Sequence, residues 1–447
     1  MDVEIVSVEM IKPSSPTPNH LRDFKLCLLD QLIPADYAPI VIFYPTQPNP
    51  NVLEKLALLK KSLSETLSHF FPLTGSIKDD LSIDCDDQGA RFITAKVKSC
   101  LLSDFLDSPD LKSIAKFLPC GMARKASDCV TNIQVSVFEC GGISIGICIS
   151  HKILDGAALS TFLKSWAGFA SPSGDKKPVS PDFSASSRFP ADGSWLKDAS
   201  MAMWGSLMKK GEFVTRRFVF DGSAIEILKE MATGLTGIRP TRVETVSGFI
   251  WKCLMTVCEE RYGFRKSCLM THLVNLRKRA VPSFSEQSIG NLTWVASAKY
   301  DAKNENLELS ELANGVRKCV SKIDGEFVKI LGSGEEGWKM MKKCLKRIKG
   351  FGCEDNVDHI GFTSWCKMGF YEVDFGFGRP VWVSSIDASG PFFMNLVVLI
   401  DGGFGGGIEA WVTLDEQEMS MLEQNQEFQA FSSFNPSPLN VISNGDA

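Results

Sequence analysis

Proton transfer at neutral pH needs a group that titrates there, and histidine has an unperturbed pKa near 6.5. The 447-residue chain holds five: His20, His69, His151, His272 and His359. Only His151 shares a pattern with a second chemical group, the H-x-x-x-D stretch His151-Lys152-Ile153-Leu154-Asp155. A positioned imidazole base speeds a reaction by about 10²–10⁴-fold. The same residues also suit a capping or satisfied core histidine, so two readings stand on local evidence. A second punctuated stretch is Asp374-Phe375-Gly376-Phe377-Gly378-Arg379-Pro380. Its glycines and proline suggest a tight bend between strand-like Phe370–Val373 and Val381–Val383. Asp374 is then either a reacting group or an aspartate bonding its own backbone.

Other chemistries find less support. Gly142-Ile143-Ser144-Ile145-Gly146 matches the G-x-S-x-G nucleophile elbow, but that elbow needs a helix directly after the serine. Ser144 lies inside an alternating strand instead. Asp-Phe-Gly also occurs in protein kinases, whose other signatures are missing. None of the 14 cysteines forms C-x-x-C, so no metal is expected. The thiols read as reduced, and the acidic N-terminus does not read as a signal peptide, so a cytosolic location is expected. The net charge of −5 favours neither nucleic acid nor an anionic membrane, and no apolar stretch is long enough to span a bilayer.

These groups must be held by a scaffold. Ile133, Val135 and Val137 alternate with polar residues, as in a half-buried strand. Gly141-Gly142 permits a turn, and Ile143, Ile145, Ile147 and Ile149 alternate again up to His151. From Ala157 the period becomes helical: Leu159, Phe162, Leu163 and Trp166 share a face. A similar unit recurs at Phe392–Ile400, the turn Gly402–Gly407 (GGFGGG), and Ile408–Leu414, with Asp415 and Glu418 placed to cap a helix. Further helical patterns cover Val52–Leu67, Ala224–Met231, Val246–Cys258 and Leu307–Ile323. The class is α/β, an α+β arrangement of mixed sheets. Residues 171–194 are rich in Ser and Pro and favour neither helix nor strand. The division is an N-terminal domain (1–170) carrying H-x-x-x-D, a crossover (171–212) and a C-terminal domain (213–447) carrying Asp-Phe-Gly-Phe-Gly. Asn275-Leu276-Arg277-Lys278-Arg279 reads as an exposed strand end or as an arginine reaching a buried carboxylate. The stripe Lys339, Lys342, Lys343, Lys346, Arg347, Lys349 reads as a solvated helix face or an anion-attracting patch.

Together, His151-Lys-Ile-Leu-Asp155-Gly and Asp374-Phe-Gly-Phe-Gly-Arg-Pro resemble the motif pair of the plant BAHD acyltransferases. The resemblance covers essentially the whole chain. Ile11-Lys12-Pro13, Leu28-Leu29-Asp30-Gln31, Phe70-Phe71-Pro72-Leu73-Thr74-Gly75, Asn275-Leu276-Arg277, Ile289-Gly290-Asn291 and Thr363-Ser364-Trp365 also match. The nearest likeness is to the branch that acetylates alkaloid hydroxyls. Phe377 departs from the family's usual tryptophan. The resemblance implies two similar-sized domains of the chloramphenicol-acetyltransferase type with a channel between them. It also implies a monomer, an acyl-CoA co-substrate (acetyl-CoA first) with no permanently bound cofactor, and a small-molecule alcohol acceptor such as an alkaloid or terpenoid. A sugar ester or phenolic acceptor, or a non-catalytic metabolite-binding homologue, are the alternatives. By resemblance His151 is the general base, Thr363 and Trp365 stabilise the oxyanion, and Asp155 and Asp374 belong to the catalytic motifs. Arg277, which by resemblance pairs with Asp155, and Asn275, Gly376 and Gly378 shape the site. Thr241, Arg242, Ser247 and Asn291 approach CoA.

Overall fold

The structure is a computed structural model. It describes residues 1–439 except 35, 48–50, 120–128, 172–176, 192, 194, 235–236, 305–306, 386–391 and 404. Much of the expected linker, and Phe404 of the GGFGGG turn, thus lie outside the described residues. The first half supplies β1 (Asp2–Ile11), β2 (Tyr37–Tyr44), β3 (Ala90–Lys98), β4 (Thr131–Val137) and β5 (Ile143–Ser150). The second supplies β6 (Phe213–Phe220), β7 (Ser267–Asn275), β8 (Thr293–Tyr300), β9 (Val357–Ser364), β10 (Trp382–Ser384), β11 (Leu396–Asp401), β12 (Ile408–Asp415) and β13 (Ser433–Phe434). Helices used below are α1 (Val52–His69), α2 (Gly156–Ala170), α3 (Trp195–Leu207), α4 (Gly222–Thr233), α5 (Arg242–Tyr262), α6 (Leu309–Ser321) and α7 (Glu335–Gly352).

Among the described residues two large mixed sheets form, as the α/β class requires. One has the order β1-β3-β4-β5-β2-β10 and the other β8-β7-β9-β11-β12-β6-β13. The pairs β3–β4, β7–β9 and β9–β11 are parallel. The strand–turn–strand–helix unit before position 170 forms as expected, with α2 starting at Gly156. Its alternation does not mark a solvent face, however. Gln134, Ser136 and Ser144 are buried, because a layer containing Phe105, Ile114 and Phe117 covers that side. Gly146 permits this approach: a Cβ there would sit 1.9 Å from the Phe117 carbonyl oxygen. Ser144 lies fully buried with an unpartnered hydroxyl, which removes the nucleophile-elbow reading.

The second hairpin is split: Phe392–Phe393 pairs with Lys209–Lys210, and β11 begins only at Leu396. Phe370–Glu372 is a 3₁₀ turn, not a strand. The crossover is not structureless either. Ala185–Arg188 forms one helical turn, Asp182 bridges Ser288, and α3 spans 13 residues that bury Leu196, Met203 and Leu207.

The boundary at 213 needs one correction. The chain returns to the first half near its end, where β10 pairs antiparallel with β2. Phe370, Val373, Phe375 and Phe377 join the first sheet's core rather than the second's. The driving force is aromatic packing: Phe375 lies edge-on to Trp166 at 4.7 Å and Phe377 edge-on to Tyr44 at 5.1 Å.

Candidate active site

The imidazole of His151 ends β5 and is half-buried. Its backbone N–H donates to the Asp36 carbonyl at 2.8 Å, fixing the strand end. Its Nδ1 stands 3.1 Å from Asn291 Oδ1. Asn291 is fully buried, and its Nδ2 is used twice as donor, to the His151 carbonyl (2.7 Å) and to Asp30 Oδ1 (2.9 Å). The amide therefore presents oxygen to the ring. A carbonyl oxygen can only accept, so Nδ1 carries the proton and Nε2 keeps the lone pair. Asp30 anchors this arrangement: it also accepts from the Asn291 and Cys27 backbone N–H groups, each at 2.7 Å. Burial pushes the Asp30 carboxyl above its ordinary range, against the pull of those N–H groups. Lys152, the residue after the histidine, is also buried, which lowers its ammonium pKa; its Nζ reaches the Asp30 carbonyl at 3.5 Å.

Asp155 faces another way. It caps α2 by accepting from Ala158 N at 2.9 Å and holds both terminal nitrogens of Arg277, at 2.7 and 3.0 Å. It also accepts from Leu292 N at 3.0 Å. Arg277 donates in addition to the Ser288 and Gly290 carbonyls and to Asn275 Oδ1. Of the two readings of residues 275–279, the buried pair is the observed one. Planar bidentate geometry explains why arginine stands there. The pair ties the start of α2 to the 288–292 segment that carries Asn291.

Trp365 follows β9, and its backbone N–H donates to the Leu399 carbonyl at 2.7 Å. A Cβ on Gly156 would lie 3.3 Å from Trp365 Cδ1 and 2.9 Å from Met368 Sδ, so the indole stands against the first residue of α2. Thr363 is half-buried two residues earlier on β9. A cleft of about 370 Å³ opens nearby between Ala157 and Thr161 of α2, Asn275 and Arg277, and Ser364, Cys366 and Met368; His151, Thr363 and Trp365 are not among its lining residues. Lys164, Lys278 and Lys367 also line it.

Asp374 lies elsewhere. Its Oδ1 accepts from Gly376 N and Gly378 N, both at 2.9 Å, closing its own turn. Both glycines have positive φ, 94° and 100°, which explains the residue type. The motif packs on Trp166, eleven residues past Asp155, and thus roughly 16 Å along the helix axis. The aspartate expected among the catalytic groups is therefore in a structural turn.

The expected CoA contacts divide. Thr241 caps α5 with Glu244, and Arg242 binds Asp401 at 3.0 Å and the Gly407 carbonyl at 3.4 Å. Arg242 also lines an open pocket of about 540 Å³ with Ser223 at the start of α4 and Gly405-Gly406. Asp401 in turn accepts from Lys367 N at 2.5 Å, and Lys367 lines the cleft. Ser247 does not fit the expectation. It faces the core of α5 beside Gly248, which packs against Ala313 of α6, and its hydroxyl is buried without a partner. Asn291 does not fit either, being committed to His151 and Asp30.

The other histidines have different surroundings. His20 and His69 are exposed, and His69 stacks on Phe169. His272 is buried and held below its ordinary pKa by desolvation, with Nδ1 on the Leu273 carbonyl. His359, bonded to Thr271 Oγ1 at 2.9 Å, is pushed by burial to about 3. Both rings stay neutral and structural. Among the described residues no group of His, Cys, Asp and Glu could hold a metal ion, and no helix is long and apolar enough to cross a membrane.

The family model described as the transferase family matches residues 1–429 of the chain. Epi-neemfruitin B 7-O-acetyltransferase of Melia azedarach and limonoid 7-O-acetyltransferase of Citrus sinensis are each 41% identical to it, over 98% of this chain and 100% of theirs. The crystal structure of vinorine synthase superposes with a TM-score of 0.81 at 30% identity, over 98% of this chain and 100% of that one. The whole-length matches agree with the resemblance read from the motifs: the chain belongs to the transferase family, that of the plant BAHD acyltransferases, and is an acyltransferase.

Proposed function

We propose that the chain transfers an acetyl group from acetyl-CoA to a hydroxyl of a plant specialised metabolite, an oxygenated terpenoid of the limonoid kind ahead of an alkaloid. The two relatives at 41% identity favour the terpenoid, and vinorine synthase keeps the alkaloid second. The observation that carries the mechanism is the chain Asp30–Asn291–His151, which leaves His151 Nε2 as a base of fixed orientation.

His151 Nε2 takes the proton of the acceptor hydroxyl as its oxygen attacks the thioester carbonyl. The tetrahedral oxyanion collapses, the C–S bond breaks, and the imidazolium returns the proton to the CoA thiolate. No acyl-enzyme forms, since the thioester is already activated. Trp365 and Thr363 are the oxyanion donors of this reading; removal of one such donor costs about 2.7–4 kcal/mol. Acyl-CoA runs from the cleft past Lys367 and Asp401 to the pocket at Arg242. Asp155 acts by holding α2 to the 288–292 segment. The two halves, 1–170 and 213–447 with 370–384 returned to the first, act as the two walls of the channel. Free thiols support a reducing compartment such as the cytosol, where the protein works as a monomer.

The test is thiol release from acetyl-CoA by the purified protein, with and without a panel of limonoid, alkaloid, flavonoid and sugar-ester alcohols. Release that depends on a terpenoid alcohol, with the acetyl ester as product, is the expected result. Preference for a phenolic or sugar ester would refute the acceptor, and no release across the panel would refute the activity.

A further inference from the structure

The lysine stripe noted in the sequence is used by neither the active site nor the core. Lys339, Lys342, Lys343, Lys346, Arg347 and Lys349 are all exposed, and they lie on α7 opposite Met341, Leu345 and Ile348, which are buried. At 100° per residue the six cations fill an arc of about 160°, and at 1.5 Å per residue they extend about 15 Å along the axis. Among the described residues only Lys339 has a carboxylate partner, Glu335 at 2.7 Å. In a chain of net charge −5 this is a strong local reversal of sign.

The neighbouring helix adds a second kind of exposure. Trp195 of α3 lies 5.9 Å from Trp338 of α7, and the Lys342 ammonium stands over Trp195. At the other ends, a Cβ on Gly352 would meet Ser206 Oγ at 2.6 Å. The helices therefore run side by side in the same direction. Met201 of α3 and Met208, one residue past its end, are 45% and 49% exposed. Phe392, 52% exposed beneath the Lys210 ammonium, continues the apolar exposure where the chain leaves α3.

We propose that the α3–α7 face is a peripheral docking surface for an anionic lipid membrane. The charge reading alone would suit any polyanion. Two features favour a bilayer. The cations spread along a helix face instead of converging on a point, as suits a fluid array of headgroups. Beside them stand unbranched apolar side chains that can enter the headgroup boundary. The arrangement binds the protein to the membrane without inserting a span. It would bring the enzyme to apolar acceptors that partition into lipid.

The test is co-sedimentation of the full-length protein with vesicles of phosphatidylcholine, with and without phosphatidylserine. Binding is expected only to the vesicles with phosphatidylserine and is expected to weaken as salt rises. Each cation near an anionic leaflet contributes a factor of about 5 in partitioning, so Lys343→Gln/Lys346→Gln/Lys349→Gln lowers it by about 100-fold. Met201→Ser/Met208→Ser lowers it by about 10-fold. Both variants keep wild-type turnover of a water-soluble acceptor, which reports that they are folded. Absence of binding to anionic vesicles, or unchanged binding by the triple-lysine variant, overturns the proposal. Retention on polyglutamate together with vesicle binding indifferent to the methionines assigns the face to an acidic protein instead and also overturns it.

Discussion

Two buried arginine–carboxylate pairs hold this molecule together, and they work in different places. Asp155–Arg277 joins the start of α2 to residues 275–292, so it spans the two halves at the active site. Arg217–Glu409 joins two neighbouring strands of one sheet, with contacts of 2.6 and 2.9 Å, and reaches the other half through Trp382, whose Nε1 donates to Glu409 at 3.2 Å. Trp382 in turn stacks on Phe43 and Trp411. Both pairs are nearly solvent-free, and each is bidentate. The chemistry is the same, but the neighbours are not. Asp155 accepts from Leu292 N, one residue from the amide that orients His151. Glu409 has no such neighbour. A buried ion pair can thus serve the scaffold alone or the scaffold and the base together, depending on what its spare hydrogen bonds hold.

The largest effect should come from breaking either pair. Asp155→Ala and Glu409→Ala each leave an arginine buried without its partner, at a cost of about 3–5 kcal/mol, read as a fall in denaturation midpoint. At a temperature where both variants are folded, Glu409→Ala should keep its turnover while Asp155→Ala loses it. Equal turnover in the two would erase the distinction. Next comes Asp374, the other motif aspartate. Asp374→Ala frees the Gly376 and Gly378 N–H groups and should cost about 1–3 kcal/mol of stability, with acetyl transfer by the folded fraction retained. Loss of turnover out of proportion to folding would return Asp374 to the catalytic set.

A smaller effect separates the histidines. His359 is held at about 3 against an ordinary 6.5. The unfolded chain therefore takes up a proton near pH 6.5 that the folded chain refuses until about 3. This contribution to stability is complete above pH 6.5 and declines as pH falls through that window, by up to about 1.4 kcal/mol per pH unit. Chemical denaturation from pH 7 to 5 should show that decline, and His359→Gln should flatten it; an unchanged slope would place the acid sensitivity elsewhere. The smallest effect is Asp415→Ala. It removes the cap on Gln417 and Glu418 N–H, worth about 1 kcal/mol, together with a part-exposed contact to Arg261, with no change in turnover.

How much of this was legible in the sequence depended on the range of the interaction. The strand carrying His151 and the helix after Asp155 were legible because periodicity is local. The Asp415 cap was legible for the same reason. The Asp155–Arg277 contact came from resemblance, since 122 residues separate the partners. Asp30 stood in a quoted motif without a role, although a carboxylate inside the run Leu28–Leu32 was a sign that something buried must satisfy it. The role of Asn291 is not legible locally, because nothing in its own segment points to a histidine 140 positions away. Ser247 failed for a related reason: position along a helix says which face it is on, but only the packing of Gly248 on Ala313 says that this face is inside. The polar positions of β4 and β5 looked solvated because alternation reports two faces without saying that a second layer covers one of them.

The central claim is that His151 is the base, and one comparison tests it most directly. His151→Ala should lower the turnover of acetyl-CoA and acceptor by at least about 10²-fold while leaving the affinity for CoA and the denaturation midpoint near wild type. His272 and His359 are buried, with basicity lowered by desolvation and a ring nitrogen held in a core hydrogen bond, so neither can substitute. A variant that stays folded, binds CoA and turns over within a few-fold of wild type would contradict the account.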